Sequence, residues 1–302
     1  ISAPVSRLSP HARLAPPLGL AYIASVLLAD GHDVSAIDFN VSGLNFKRLD
    51  RIITREKPRT VGISAYTETY PNALKIARRV KLTDPSIHVV MGGAHPTIIP
   101  EQVLAEDSVD FVVIGEGEKT MSELANQIAT GKGQPKDIRA LGYKDGGTNI
   151  NVRRDPLDPN EVPYPARALF PLELYRTMWT VLTARGSCPF KCPFCSASHI
   201  WQGRRRARDP QDVLKEIRML QEVYGASYIF FSDDLFTLDR NWVQKLLELL
   251  KELHYPLAWL CATRVDLVDR ELLEKMAEAG CRSIQYGVES GSQRILDSVK
   301  GI

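Results

Sequence analysis

Three of the five cysteines, Cys188, Cys192 and Cys195, lie within eight residues, in the run Arg185-Gly186-Ser187-Cys188-Pro189-Phe190-Lys191-Cys192-Pro193-Phe194-Cys195. The thiolate is the form of cysteine that binds metals, and three on one short loop can wrap a single centre. One candidate is structural zinc with His199 as fourth ligand. Structural zinc usually draws on two separated ligand pairs, and this chain has no second pair. The other candidate is an iron–sulfur cubane. Four irons held by three cysteines leave one iron without a protein ligand, open to an amine and a carboxylate of a small molecule. Cys261 and Cys281 stand alone, so the pattern is not that of a secreted disulfide framework.

Such a loop needs a frame. From Thr180 onward, short apolar runs alternate with amphipathic segments. Strands are expected over Thr180 to Ala184, Tyr228 to Phe231, Leu257 to Cys261 and Ser283 to Val288. Helices are expected from Asp209-Pro210, a cap followed by proline at the first helical position, to Gly225, then over Trp242 to Leu253 and Glu271 to Ala279. In α/β barrels the chemistry gathers at the C-terminal ends of strands. The cysteines follow the first strand, Ser232-Asp233-Asp234 the second, Arg264 the third and Glu289-Ser290 the fourth. Singly, each is an ordinary helix cap or surface charge. Together they put polar groups on one rim. Four βα units do not close a barrel, so either the sheet is open or a C-terminal part lies outside the sequence given.

The run CPFKCPFC resembles the C-x3-C-x2-C signature of the radical S-adenosylmethionine enzymes, including the aromatic residue before the third cysteine. The resemblance implies a partial parallel (β/α)6 TIM-like barrel whose C-terminal strands are missing here. It implies a [4Fe-4S] cluster on Cys188, Cys192 and Cys195, with S-adenosylmethionine on the open iron. One electron then splits the sulfonium, and a 5′-deoxyadenosyl radical takes hydrogen from the substrate. By the same resemblance, Asp233 and Asp234 receive the methionyl ammonium and Glu289 contacts ribose or the methionyl end, with Ser290 beside it. Arg264 pairs with the methionyl carboxylate or forms a structural salt bridge. Phe194 rests near adenine or packs the loop. An external one-electron donor such as flavodoxin or ferredoxin is implied, as is oxygen sensitivity.

Residues 1 to about 135 also alternate strand and helix, as in a doubly wound parallel sheet. Strands are expected at Val34 to Ile37, Thr60 to Ala65, His88 to Met91 and Phe111 to Ile114, with helices between them. Neither G-x-G-x-x-G nor a phosphate-loop motif is present, so dinucleotide and nucleoside-triphosphate binding are unsupported. Small and polar residues crowd the strand ends where ligands of open sheets bind. The runs PPLGLAYIASVL, VGISAYTETY, VVMGGAHPT and DFVVIGEGE resemble the Rossmann-like cobalamin-binding domain that precedes the barrel in one radical class. The resemblance makes Leu18, Gly19, Ser64, Tyr66, Thr67, Glu68, Gly92, Gly93, His95, Gly115, Glu116 and Gly117 candidate cobalamin contacts. The D-x-H-x-x-G motif of other cobalamin proteins is absent, so His95 reads as a loop or tail contact and not as a cobalt ligand. Residues 136–179, proline-rich and with a hairpin turn at Lys144 to Gly147, read as a linker; 180–302 is the barrel.

Composition sets the outer bounds. The 302 residues are 44% apolar and 25% charged, and the net charge is only +2. That balance disfavours generic nucleic-acid or membrane binding. The apolar stretch Leu18 to Ala29 is too short to span a bilayer, and no signal-like start is seen, so a cytoplasmic setting is expected. The basic run Gly203 to Arg208 reads as a solvated face or as arginines paired with acids, with an anionic-substrate or phosphate contact as the lesser alternative; Trp201, Trp259 and Tyr286 read as core packing, with the lining of a substrate cavity as the lesser alternative. The leading expectation is a cobalamin-dependent radical methyltransferase acting on an unactivated carbon of a small-molecule substrate. An oxidative cyclase or rearrangement enzyme like the anaerobic tetrapyrrole cyclases is the alternative. A zinc-stabilised binding module is the non-enzyme alternative. Methylthio transfer is disfavoured, because no cysteine precedes Cys188.

Overall fold

The computed structural model describes residues 1–5, 15–175, 179–186, 188–190, 192–201 and 203–300; Ser187 and Lys191 of the cysteine run lie outside them. Contacts divide the chain into two units, one of residues 1–157 and 162–176, the other of 158–161 and 177–302. Among the described residues no helix is long and apolar enough to cross a membrane.

The first unit carries helices α1 (Leu18–Ala29), α2 (Phe39–Ser42), α3 (Phe46–Glu56), α4 (Tyr70–Thr83), α5 (Ala94–Ile98), α6 (Pro100–Leu104) and α7 (Glu118–Thr130). Its strands are β1 (Thr60–Ser64), β2 (His88–Gly92), β3 (Phe111–Val113), β4 (Leu141–Lys144) and β5 (Thr148–Ile150), in the order β1-β2-β3-β4-β5. β1, β2 and β3 are parallel. Ile63, Val89, Met91 and Val112 are buried with Ile76, Val80 and Leu104 in one apolar core. This double-sided burial is why the strands read as continuous apolar runs.

Two sequence expectations change here. Val34 to Ile37 is not a strand. The chain at this edge makes only single-residue bridges, Ser2 to Asp38 and Ser2 to Ser64. Asp38 turns the chain by capping α2, its carboxylate accepting from the Asn40 N–H at 2.9 Å. The hairpin expected within a linker continues the sheet, with β4 antiparallel to β3. The reason is apolar: Leu141 is fully buried against Val90, Val113 and Leu124.

The second unit contains β6 (Trp179–Val181), β7 (Ala184–Arg185), β8 (Arg206–Ala207), β9 (Tyr228–Phe231), β10 (Ala258–Thr263) and β11 (Cys281–Tyr286). Its helices are α8 (Ala197–Ile200), α9 (Pro210–Tyr224), α10 (Arg240–Lys251), α11 (Arg270–Glu278) and α12 (Gln293–Val299). β6, β9, β10 and β11 form a parallel four-stranded sheet in sequence order. Short connections with helices between successive parallel strands are the βα repeat of a barrel wall. The helix starts follow from local chemistry. Asp209, Asp239 and Asp269 cap α9, α10 and α11, each carboxylate accepting a first-turn N–H. Val213, Ile217, Leu220, Val243, Leu246, Phe231 and Trp259 fill the core beneath.

The expected strand Thr180 to Ala184 is broken in two. β6 stays in the four-stranded sheet, while β7 leaves it and pairs antiparallel with β8. The break falls at Leu182-Thr183, whose peptide groups bond outside the ladder. The Thr183 and Ala184 N–H groups donate to the Asp233 carboxylate, at 3.1 and 2.7 Å. The Thr183 carbonyl accepts from the Arg208 N–H at 2.8 Å.

Candidate functional site

Parallel strands end on one edge, so the ends of β9, β10 and β11 deliver Ser232 to Asp234, Arg264 and Glu289 to the same rim. The cysteine loop leaves from β7. Gly186 makes the exit possible. Its φ is +112°, and a Cβ there would stand 2.4 Å from the carbonyl oxygen of Arg204, in the bend just before β8. Cys188, Cys192 and Cys195 are free thiols, the last exposed. Burial pushes the Cys188 thiol up, and the neighbouring Asp234, Cys195 and Cys192 charges add to the rise. Three thiols so close repel one another when ionised, and a bound cation relieves that repulsion.

Three thiolates on one loop fit an iron–sulfur cubane, which can take three cysteine ligands and leave one iron open. A cavity beside Cys188 is lined by Ala184, Gly186, Trp201, Arg205, Asp233 and Asp234, among others.

The predicted rim residues are not equivalent. Asp233 is buried and spends both carboxylate oxygens on the Thr183 and Ala184 peptides. Burial pushes its pKa up to about 6, against the lowering effect of these hydrogen bonds and of Arg205. Asp234 is exposed at the rim, and crowding still raises its carboxyl above the ordinary range. Arg264 is 6% exposed and bonds Asp266 twice, Nε to Oδ1 at 2.9 Å and Nη2 to Oδ2 at 2.7 Å. Its Nη1 is buried with no hydrogen-bond partner. Glu289 has φ of +62°, a left-handed conformation unusual for a residue with a side chain, and pairs with Lys300 at 3.4 Å. Ser290 turns the chain locally, its Oγ accepting from the Ser292 N–H at 3.1 Å. Phe194 is 55% exposed beside Cys195.

Of the readings of the basic run, that of arginines paired with acids holds at Arg208, whereas its partner Glu216 escapes sequence reasoning. Arg208, buried in the basic run, pairs with Asp212 and with fully buried Glu216, and donates from Nη1 to the Leu182 carbonyl at 2.9 Å. A signal existed: Glu216 falls in the apolar stripe Val213, Ile217, Leu220, where a carboxylate needs a cation. Arg205 packs over the Trp242 ring at 5.5 Å and faces the cavity with Asp233. Trp259 is core, as expected, whereas Trp201 lines the cavity and Tyr286 is partly exposed.

In the first unit the C-terminal edge of β1, β2 and β3 gathers Ser64 to Glu68, Gly92 to His95 and Gly115 to Gly117. Gly93 has φ of +102°, and a Cβ on it would lie 2.8 Å from the Ala65 carbonyl oxygen. Glycine is required at 93 by this close approach of the Ala65 backbone. Tyr66 stands 65% exposed there. His95 stacks on Tyr70 at 4.2 Å and reaches Thr67 Oγ1 through Nδ1 at 3.1 Å. Its Nε2 is buried without a partner, and burial lowers the ring pKa, which favours the neutral imidazole. Glu116 is spent on the Leu157 N–H at 3.1 Å, and the Gly115 N–H donates to Thr97 Oγ1 at 3.0 Å. Gly117 packs closely on Ile23 and Val113, while Leu18 and the exposed Gly19 open α1. Exposed Tyr66 and the His95 imidazole nitrogen, unpartnered among the described residues, are the groups of this edge that fit a corrinoid ligand.

Residues 12–125 match the B12 binding domain family, and residues 185–302 match the radical SAM superfamily. The chain belongs to the radical SAM superfamily and carries a B12 binding domain ahead of its radical SAM domain. The cofactors of these domains are a [4Fe-4S] cluster with S-adenosylmethionine, and cobalamin.

Its similarities are spread over several activities. An uncharacterized methyltransferase of Pyrococcus horikoshii is 37% identical over 95% of this chain and 64% of its own length. The anaerobic magnesium-protoporphyrin IX monomethyl ester cyclase of Rubrivivax gelatinosus is 30% identical over 94% of this chain and 53% of its own. The fold matches that of the cobalamin-dependent S-adenosylmethionine radical enzyme OxsB with a TM-score of 0.84 at 20% identity, over 99% of this chain and 45% of that one. The chain therefore spans about half to two thirds of the length of these proteins.

Proposed function

We propose that the protein is a cobalamin-dependent radical methyltransferase acting on an unactivated carbon of a small-molecule substrate. The carrying observation is the cysteine loop, whose three thiols are free and whose Cys188 lines a cavity at the strand ends where rim polar groups gather. When bound, the cluster and S-adenosylmethionine supply one-electron cleavage to a 5′-deoxyadenosyl radical, and cobalamin supplies a methyl carrier. Everything else is positioning. Cys188, Cys192 and Cys195 hold the cluster. Asp234, accessible at the rim, takes the methionyl ammonium in a charge-assisted hydrogen bond. Asp233 works behind it, fixing the Thr183-Ala184 turn from which the loop departs. Glu289 and Ser290 bind the ribose or methionyl end. The free Nη1 of Arg264 is the group available to a carboxylate, and Phe194 the one available to adenine. In the first unit, Gly92 and Gly93 form the tight strand-end turn beside the corrin, with Tyr66, Thr67, Glu68 and His95 along its edge or tail. A flavodoxin- or ferredoxin-type donor in the cytoplasm completes the reading.

The similarity to a cyclase supports a second reading in which both cofactors serve oxidation or ring formation. The test is anaerobic reconstitution with iron, sulfide and cobalamin, then methyl-labelled S-adenosylmethionine and a strong reductant. Methyl transfer requires the label on cobalamin, together with 5′-deoxyadenosine. Deoxyadenosine without labelled methylcobalamin favours the cyclase. A colourless product with one zinc and no iron or sulfide rejects both. Alanine at Cys188, Cys192 or Cys195 is expected to abolish iron binding and deoxyadenosine formation together.

A further inference from the structure

The structure places a buried cation against the cysteine loop. Arg264, at the end of β10, lays its guanidinium over the Phe190 ring, 3.8 Å from the ring centre. Phe190 lies between Cys188 and Cys192 in the loop. The arginine side chain is only 7% exposed, whereas its partner Asp266 is 36% exposed. The ion pair is therefore oriented, with the positive end inward on the loop and the negative end toward solvent. Both Cys188 and Cys192 act electrostatically on Arg264. Among the described residues its Nη1 has no hydrogen-bond partner, so Asp266 is the one carboxylate bonded to the guanidinium.

Adding one electron to a thiolate-held cluster makes it one charge more negative. A cation held beside it in a water-poor setting favours the reduced form, and an anion does the reverse. We propose that Arg264 is a potential-setting residue: seated on Phe190 and braced by Asp266, it makes the cluster easier to reduce. This rests on the cluster reading above. It concerns the first electron in, from a strong one-electron donor, and no bond is made or broken in that step.

The test uses the full reconstituted chain without S-adenosylmethionine, which removes any role of Arg264 toward that ligand's carboxylate. Iron and sulfide are counted, and the paramagnetic reduced cluster is followed by electron paramagnetic resonance during titration with titanium(III) citrate. Arg264→Met is expected to lower the reduced-to-oxidised ratio at fixed poise about tenfold, equivalent to about 59 mV for one electron. Asp266→Asn, which strips the compensating anion, is expected to raise the ratio. Arg264→Lys, which keeps charge but loses the flat stack, falls between wild type and Arg264→Met. Opposite shifts in the methionine and asparagine variants are a signature that mere loosening of the loop does not give. The proposal is overturned if loaded variants reduce within twofold of wild type, or if both shift the same way. If Arg264→Met loads no iron, Asp266→Asn and Arg264→Lys decide by the same criterion. If the wild type itself binds no iron and sulfide, the cluster reading fails instead.

Discussion

Replacing Arg208 with methionine removes the cation from a buried ion pair at the root of the cysteine loop. Glu216 is fully buried and Arg208 nearly so, and Arg208 also binds Asp212 and the Leu182 carbonyl. Removing one partner of such a pair costs about 3–5 kcal/mol, because the Glu216 carboxylate stays buried after the ion pair to Arg208 is lost. The lost bond to Leu182 adds about 1 kcal/mol, partly overlapping with the first loss. A net loss of about 4 kcal/mol is a large part of the stability of a single unit. With a urea slope of about 2 kcal/mol per molar, the midpoint should fall by about 2 M. All four tryptophans, Trp179, Trp201, Trp242 and Trp259, belong to the second unit, so their fluorescence reads this unit alone. Combining Arg208→Met with Glu216→Leu replaces the pair by apolar groups and should recover most of the loss. A single variant within about 1 kcal/mol of wild type, or a double variant no better than the single, refutes the argument.

Two further outcomes follow from the same region. Gly186→Ala forces a Cβ to within 2.4 Å of the Arg204 carbonyl at a φ of +112°. Strain of roughly 3 kcal/mol or more should part β7 from β8 and sharply lower iron uptake on reconstitution, while the first unit keeps its far-ultraviolet dichroism. Full iron loading of this variant would contradict the placement of the loop. Asp233, with its pKa at about 6 in the folded chain against an ordinary value near 4, binds its proton more tightly when folded. Folding thus releases stability as pH rises through roughly 4 to 6, and the metal-free wild type should lose about 2 kcal/mol relative to Asp233→Asn between about pH 4.5 and pH 7. Urea titrations at the two pH values show whether that gap widens; a constant gap excludes the raised pKa.

Much of the second unit was readable from periodicity. The strand at Tyr228 to Phe231 and the helix from Pro210 to Tyr224 occur as expected, because an Asp-Pro start, a repeating apolar face and a terminal glycine are all local signals. Reading failed where backbone groups choose distant partners. Nothing near Thr183 marks the strand break, since Asp233 and Arg208 lie 50 and 25 residues away along the chain. The hairpin from Leu141 to Ile150 was legible as a hairpin, but its membership of the first sheet depends on burial of Leu141 by Val90 and Leu124. For the site, the strand-end rule brought Asp233, Arg264 and Glu289 to one rim. It did not distinguish the acid spent on peptide N–H groups from the acid left at the surface.

The sequence alone determined the cysteine spacing, the βα alternation and hence the family, because ligand spacing and hydrophobic periodicity are properties of neighbours along the chain. Tertiary structure alone decided which charges are buried and with whom they pair. Arg264 over Phe190 and Asp233 on the Thr183 peptide are juxtapositions of residues far apart in sequence, and the burial of the nearer pair Arg208 and Glu216 is set by the packing around them. Their electrostatic effect depends on distance and exclusion of water, quantities that only the folded chain defines.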